Sequence, residues 1–421
     1  MIEEIQKRPF VRPLFYWITG IVLQVCFPLQ QLSCLLLLPV VAVVILSLFA
    51  VEKSSGIFYD SRWIWGVVVS CLFIFLAIQL TALVEHRLAV PAHTGWLQER
   101  AHNVQEHMVG KLDKLHLDDN EKSILATITV NYRKAMKREV RHQFSATGVA
   151  HLLSVSGFHV GIVAALLSLL FSVFPKRSVF RWLRFILILL LVWAFAYIAG
   201  LSAASVRAAL MFTVYVVGEQ FQYRPDRYNT LAAAAFCMLV YNPFYLFDIG
   251  FQLSFVAVFF ILYLQPRFYK LIEVRNPLIA MPWGVLTVTV AAQIGTIFLC
   301  AFYFGEVSTV FLFTNLFLSL LATVLIPLTL FYMLLPAEMP GYEWLQSMVE
   351  VLTKGMMWIV NRFSQLPGAT FALRFDFFTL IFAYIILGLV LYYFQSRRFL
   401  VLFVSLLLLL LVLFRQIILQ Y

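Results

Sequence analysis

The sequence predicts an all-α polytopic membrane protein with about 12–13 transmembrane helices and one short, mostly helical extracytoplasmic segment. Three observations predict it. Of the 421 residues, 62% are hydrophobic and only 12% charged, and mean hydropathy is +0.90, whereas soluble domains sit near half apolar and a quarter charged. The apolar residues gather in runs of bilayer-crossing length. The net charge of +10 is spread over loops and does not form one patch, so much of it records topology and not ligand. A soluble enzyme or soluble nucleic-acid-binding domain is excluded on these grounds.

In chain order, apolar runs fall at 14–29, 32–51 and 63–84, then at 149–173, 182–200, 203–221, 229–246, 250–265, 278–304, 309–336, 378–394 and 399–414. The weaker stretch 344–366 reads either as a thirteenth span or as a helix lying at the interface. The first run follows Lys7, Arg8 and Arg12 and lacks a small-residue cleavage site, so it reads as an anchor and not a removable signal. Three blocks result: N-terminal transmembrane helices (1–84), a polar extracytoplasmic segment with a basic helix (85–147), and a transmembrane bundle (148–421).

With a cytoplasmic N-terminus, the loops carrying Lys176, Arg177 and Arg181, then Arg224 and Arg227, then Arg267, Lys270 and Arg275 fall inside. The tight connections at 200–203 and 305–308 fall outside. Arg397 and Arg398 return to the inside if 344–366 crosses, and the final hairpin inverts if it does not. The cysteines Cys26, Cys34, Cys71, Cys237 and Cys300 lie in or beside apolar runs without a CxxC pair, which reads as packed free thiols.

Within the polar block, 131–142 (NYRKAMKREVRH) places Lys134, Lys137, Arg138 and Arg141 at i, i+3, i+4, i+7. On a helix they share one face. Such a face is either solvated and headgroup-contacting or a phosphate-contacting ramp leading into the next span.

The segment 148–161 (GVAHLLSVSGFHVG) reads as a membrane helix, yet it carries two histidines, two serines and three glycines. Polar groups in a bilayer face other helices or an aqueous cavity, so tight packing and pathway lining both remain open here. Gly157 leaves the backbone free to unwind, as helices lining a cavity do. A serine nucleophile at Ser156 would need a histidine base from another helix, but all eight histidines lie at or before residue 159. No HExxH, no carboxylate near either histidine and no Walker motif is present, so no catalytic residue, metal, cofactor or enzyme activity is expected. Arg207 follows a run of small residues just inside a span, a functional position by default. Asp248 is its candidate partner, with Gln252 beside it at the outer mouth.

The stretch HLLSVSGFHVG (151–161) resembles the ComEC competence family signature, whose usual form reads HLLAVSGLHVG. Phe144 through Gly148, Ser205-Val206-Arg207-Ala208, Tyr223-Arg224, Asn242-Pro243 and Phe251 through Phe255 resemble further family segments in the expected order. The resemblance covers roughly 121–395. It implies a multi-pass channel of the bacterial inner membrane that carries single-stranded DNA to the cytoplasm during natural transformation. His151, Ser154, Ser156, Gly157, His159, Arg207, Gln252 and Ser254 would then line the path, with Asp248 beside Arg207. Lys134, Lys137, Arg138 and Arg141 are the candidate phosphate contacts. Implied partners are the DNA strand, membrane lipid, a DNA receptor, a separate nuclease and a cytoplasmic ATPase or helicase, and a homo-oligomer is compatible. Family members often carry an OB-like and a metallo-β-lactamase-like domain. The 85–147 segment is too short and helical for the first, and no HxHxDH motif marks the second. The competing readings are a transporter of another solute or lipid precursor and, last, an intramembrane serine hydrolase.

Overall fold

A computed structural model describes residues 8–28, 62–88, 96–173, 178–221 and 226–420, with isolated positions between 42 and 49. The expected span at 32–51 lies almost wholly outside the described residues, as do Lys7, Lys176, Arg177 and Arg224. The chain is a multi-pass, almost entirely helical membrane protein. Among the described residues, six helices are long and apolar enough to cross a bilayer, and three shorter ones are comparably apolar.

Helix α1 (Val11–Cys26) and α2 (Arg62–Leu88) pack closely and in parallel. Trp17 meets Phe73 edge-on, and Gly20 lies against the α2 backbone. A Cβ on Gly20 would sit 2.5 Å from the carbonyl oxygen of Ile74, so only glycine permits this approach. The polar-block helices are α3 (Trp96–Gly110), α4 (Asp119–Val130) and α5 (Arg138–Ala146). The bundle then comprises α6 (Gly157–Leu170), α7 (Ser178–Ile198), α8 (Ala203–Phe221), α9 (Arg227–Tyr241), α10 (Ile249–Tyr269) and α11 (Pro277–Phe304). Strand β1 (Glu306–Ser308), α12 (Phe311–Leu334), α13 (Tyr342–Ser364), β2 (Thr370–Ala372), α14 (Phe377–Ser396) and α15 (Phe399–Gln420) complete the chain.

From α6 to α11 the connections are short and the helices alternate in direction. The face carrying residues 200–203, 243–248 and 305–311 is called upper here, and the one carrying 226 and 270–276 lower. Arg8 pairs with Asp226 at 3.0 Å, and Phe10 N–H donates to Asn229 at 2.9 Å. Those contacts put the start of α1 at the lower face.

The β1–β2 pairing fixes the face at which the chain emerges after 344–366. Glu306 faces Ala372 and Ser308 faces Thr370 in an antiparallel register, so α12 and α13 return the chain to the face it left. Arg397, left-handed at φ 53°, therefore lies with Arg398 at the lower face. The hairpin tip is also tethered to the upper side. Gln105 packs on Gly200, and six residues on, Lys111 Nζ donates to Met333 O near the end of α12 at 2.6 Å. Six residues of helix cover about 9 Å, against about 30 Å for the hydrocarbon core. Exposed Asp113, Asp119, Glu338 and Glu343 surround that tip, where burial in lipid would be costly.

The largest apolar core joins α4 to this hairpin. Ile124, Leu125 and Ile128 are fully buried together with Leu318, Leu325, Ile326, Val349 and Val360. The polar block is thus packed onto the bundle by an apolar helix, while its charges face outward.

Candidate functional site

The membrane helix expected from 149 begins only at Gly157. Gly148 ends the preceding helix at φ 74°, with Phe311 and Ser308 so near that a Cβ would lie 2.6 Å and 3.0 Å from their side chains. A 3-10 turn spans Ala150–Leu153, Ser154 is extended, and Ser156 caps α6. His151 and His159 therefore belong to different elements. The break arises because Gly148 takes the left-handed turn where packing leaves no room for a Cβ, and because Ser156 satisfies a backbone donor that a continued helix would have bonded internally.

His159 completes the cap in an unusual way. Its Nδ1 accepts from the Ser156 backbone N–H at 3.2 Å, and Ser156 Oγ lies 3.2 Å from the same nitrogen. A backbone amide can only donate, so Nδ1 is bare and the neutral imidazole carries its proton on Nε2. That Nε2 is buried without a partner among the described residues, on a residue with 0% exposure. Ser156 and Ser154 are half-buried, whereas His151 and Gly157 are exposed. The contact also bears on a serine nucleophile. A histidine does sit beside Ser156, but it is engaged as a cap and its other nitrogen meets no orienting group, which a nucleophile–base pair requires.

Helix α6 packs against α8, whose second turn presents Arg207. Ser202 starts α8 by accepting from Ser205 N–H at 3.2 Å. Arg207 is 8% exposed, and its Nη1 donates to Asp248 Oδ1 at 3.0 Å. Asp248 is the partner expected from the sequence, and it also caps α10 by accepting from Phe251 N–H at 2.7 Å. Arg207 Nε is buried without a partner among the described residues. Gly250 makes room for the guanidinium, since a Cβ there would lie 2.5 Å from Nη2. Gln252 donates to Leu246 O at 3.0 Å and accepts from the Tyr303 hydroxyl at 2.8 Å. Ser254 is half-buried on the same helix. Tyr303, Gly250 and the Ser202–Ser205 cap were not anticipated. The four-residue offset between Asp248 and Gln252 carried part of the signal, but nothing local ties Tyr303 to them.

The shared helix face expected for the four basic residues is corrected. Asn131 closes α4 in a left-handed conformation at φ 61°, and α5 starts only at Arg138. Lys134 lies in a turn and Lys137 at the cap position, so the four cations share no single helix face. Lys134 donates to Glu106 at 2.8 Å, and that hydrogen bond, with the lysine charge, holds the Glu106 carboxyl below its ordinary value. Lys137, Arg138 and Arg141 are exposed. Val140 and Phe144, on the inner side of α5, are buried in the core. Among the described residues no group of three or more His, Cys, Asp or Glu side chains is placed to hold a metal ion.

The structure thus forms two polar clusters at upper helix ends: Ser156 with His159 at the start of α6, and Arg207, Asp248, Gln252 and Tyr303 where α8, α10 and α11 meet. The Competence protein family profile matches residues 128–398. The chain is 31% identical over 209 residues to ComE operon protein 3 of Bacillus subtilis, covering 49% of this chain and 25% of that protein. It is 29% identical over 121 residues to Recombination protein 2 of Haemophilus influenzae, covering 27% and 15%. The matched region is thus a quarter or less of the length of these curated relatives. No solved structure matches. The family profile spans both polar clusters and every bundle helix from α6 to α14, and the chain belongs to the Competence protein family.

Proposed function

We propose that this protein is the inner-membrane channel that passes a single DNA strand into the cytoplasm during natural transformation. The observation that carries the reading is a pair of buried donors without acceptors among the described residues, His159 Nε2–H and Arg207 Nε–H, on two helices, α6 and α8, that pack together. A buried donor normally finds a partner, and phosphate oxygens are acceptors of the right kind. In the conformation described, His159 is sealed. Separation of α6 from the α8–α10 pair would open a route past that ring and offer both donors to a strand. Scattered donors suit conduction, because strong multidentate binding would stall it.

On this reading the lower face is cytoplasmic, since Arg8, Arg227, Arg267, Lys270, Arg275, Arg397 and Arg398 gather there. Exposed Lys137, Arg138 and Arg141 lie on the opposite side and would meet incoming phosphates. A DNA receptor, a separate nuclease and a cytoplasmic motor are the partners such a channel requires. The test is a strain deleted for the endogenous channel, complemented with this chain and scored for transformants. Restored transformation supports the reading. Full membrane expression with none, in the presence of the other uptake proteins, points to another transported solute.

A further inference from the structure

The lower ends of α6, α7 and α8 part around a second polar site, far from the first. Arg207 and Glu219 are twelve residues apart on α8, about 18 Å along the helix. Here a cavity of about 330 Å³ is lined by Ser168, Arg181, Arg184, Phe212, Glu219 and Gln220 among others, within the roughly 300–1,000 Å³ range of ligand sites. Arg184 Nη2 donates to Ser168 O at 3.2 Å. Among the described residues, neither arginine forms an ion pair with Glu219. Gln220 Nε2 is buried with no acceptor among the described residues.

We propose that this cavity holds the headgroup of a phospholipid. Its phosphate would lie on Arg181 and Arg184, with Gln220 donating to a phosphate oxygen. A headgroup ammonium or hydroxyl would face Glu219. Three features favour lipid over a DNA strand. Arg181 lies near the start of α7, and Glu219 and Gln220 lie in the last turn of α8, the depth at which headgroups sit. Phe185, Ile188 and Phe212 make the inner wall apolar, and exposed Leu183, Ile186 and Leu190 continue along α7 as lipid-facing surface. The site also presents one carboxylate against two guanidiniums, which matches a phosphate joined to a donor better than a uniformly anionic chain. Basic pockets between membrane helices at headgroup depth are a general setting for such recognition. The inference needs only membrane embedding and stands apart from the DNA-channel reading.

The experiment is native mass spectrometry of the detergent-solubilised full chain, titrated with phosphatidylethanolamine, phosphatidylglycerol or phosphatidylcholine. Ethanolamine or glycerol lipid should bind better than choline lipid, which offers no headgroup donor to Glu219. Arg181→Gln and Arg184→Gln should each weaken adducts about fivefold, and Glu219→Gln should narrow the preference between headgroups. Wild-type selectivity is read without any variant, so a poorly folded substitution does not blunt the test. Equal binding of all three lipids, or adducts indifferent to both arginine variants, would overturn the proposal. So would displacement of bound lipid by an oligothymidylate strand, which would assign the cavity to the DNA route.

Discussion

Arg207 and Asp248, 41 residues apart in sequence, meet at 3.0 Å where the upper ends of α8 and α10 converge. The arginine side chain is 9% exposed and the aspartate 44%, so one partner is sealed in the bundle while the other faces the surrounding medium. Asp248→Asn keeps a competent helix cap but removes the counter-charge. It should lower the thermal stability of the purified protein by about 1–2 kcal/mol, less than a fully buried pair would lose, because water screens the aspartate side. A variant as stable as the wild type would show the pair to be incidental.

Gly250→Ala tests the same contact sterically. The added methyl must displace the Arg207 guanidinium, so DNA uptake should fall to the level of Arg207→Gln with little further loss in the double variant. Additive losses would place the two residues in separate roles.

His159→Ala should reduce transformation at least about tenfold, as expected on losing an interaction worth 1.4 kcal/mol or more, while the amount of protein in the membrane stays the same. Ser156→Ala removes a helix cap worth about 1 kcal/mol and should leave measurable uptake. Complete loss of function in a stably inserted Ser156→Ala protein would revive the nucleophile.

For the exposed cations, replacing Lys137, Arg138 and Arg141 by Gln should weaken single-strand binding at low salt and flatten its salt dependence by about 0.7 in slope per lost phosphate contact. Fluorescence anisotropy across a salt series reads this directly. An unchanged slope would make α5 a solvated surface only.

The α14–α15 hairpin carries a pH signature. Arg415 donates to both carboxylate oxygens of Asp376, at 2.8 Å and 2.7 Å, and this holds the Asp376 carboxyl below its ordinary value. The stabilisation is present above the usual carboxylate range of about 4 and is lost as pH falls through the depressed value. Acid unfolding of Asp376→Asn should therefore lack a low-pH component that the wild type shows.

Much of the helical architecture was legible in the sequence because lipid demands long apolar runs, and Arg207–Asp248 was legible because a lone intramembrane arginine needs a partner. The apolar period could not reveal that α6 starts at Gly157. That break follows from Gly148 packing on Phe311, a contact spanning more than 160 residues. The basic ramp misled for a similar reason: its spacing is helical, but Asn131 and the Lys134–Glu106 pair hold the intervening chain as a turn. The side of the membrane reached after α13 depended on the β1–β2 pairing, whose three-residue strands carry no sequence signal.

Thiol accessibility tests most directly whether the upper polar ends border a route for DNA. In a cysteine-free background, single cysteines at Ser154, Ser156 and His159 would be exposed to a membrane-impermeant maleimide in intact competent cells, with and without transforming DNA. Labelling at Ser154 and Ser156, protection by DNA, and reaction at position 159 only when uptake is active would agree with a strand passing there. Unreactive cysteines at all three positions, in cells that still take up DNA, would contradict it.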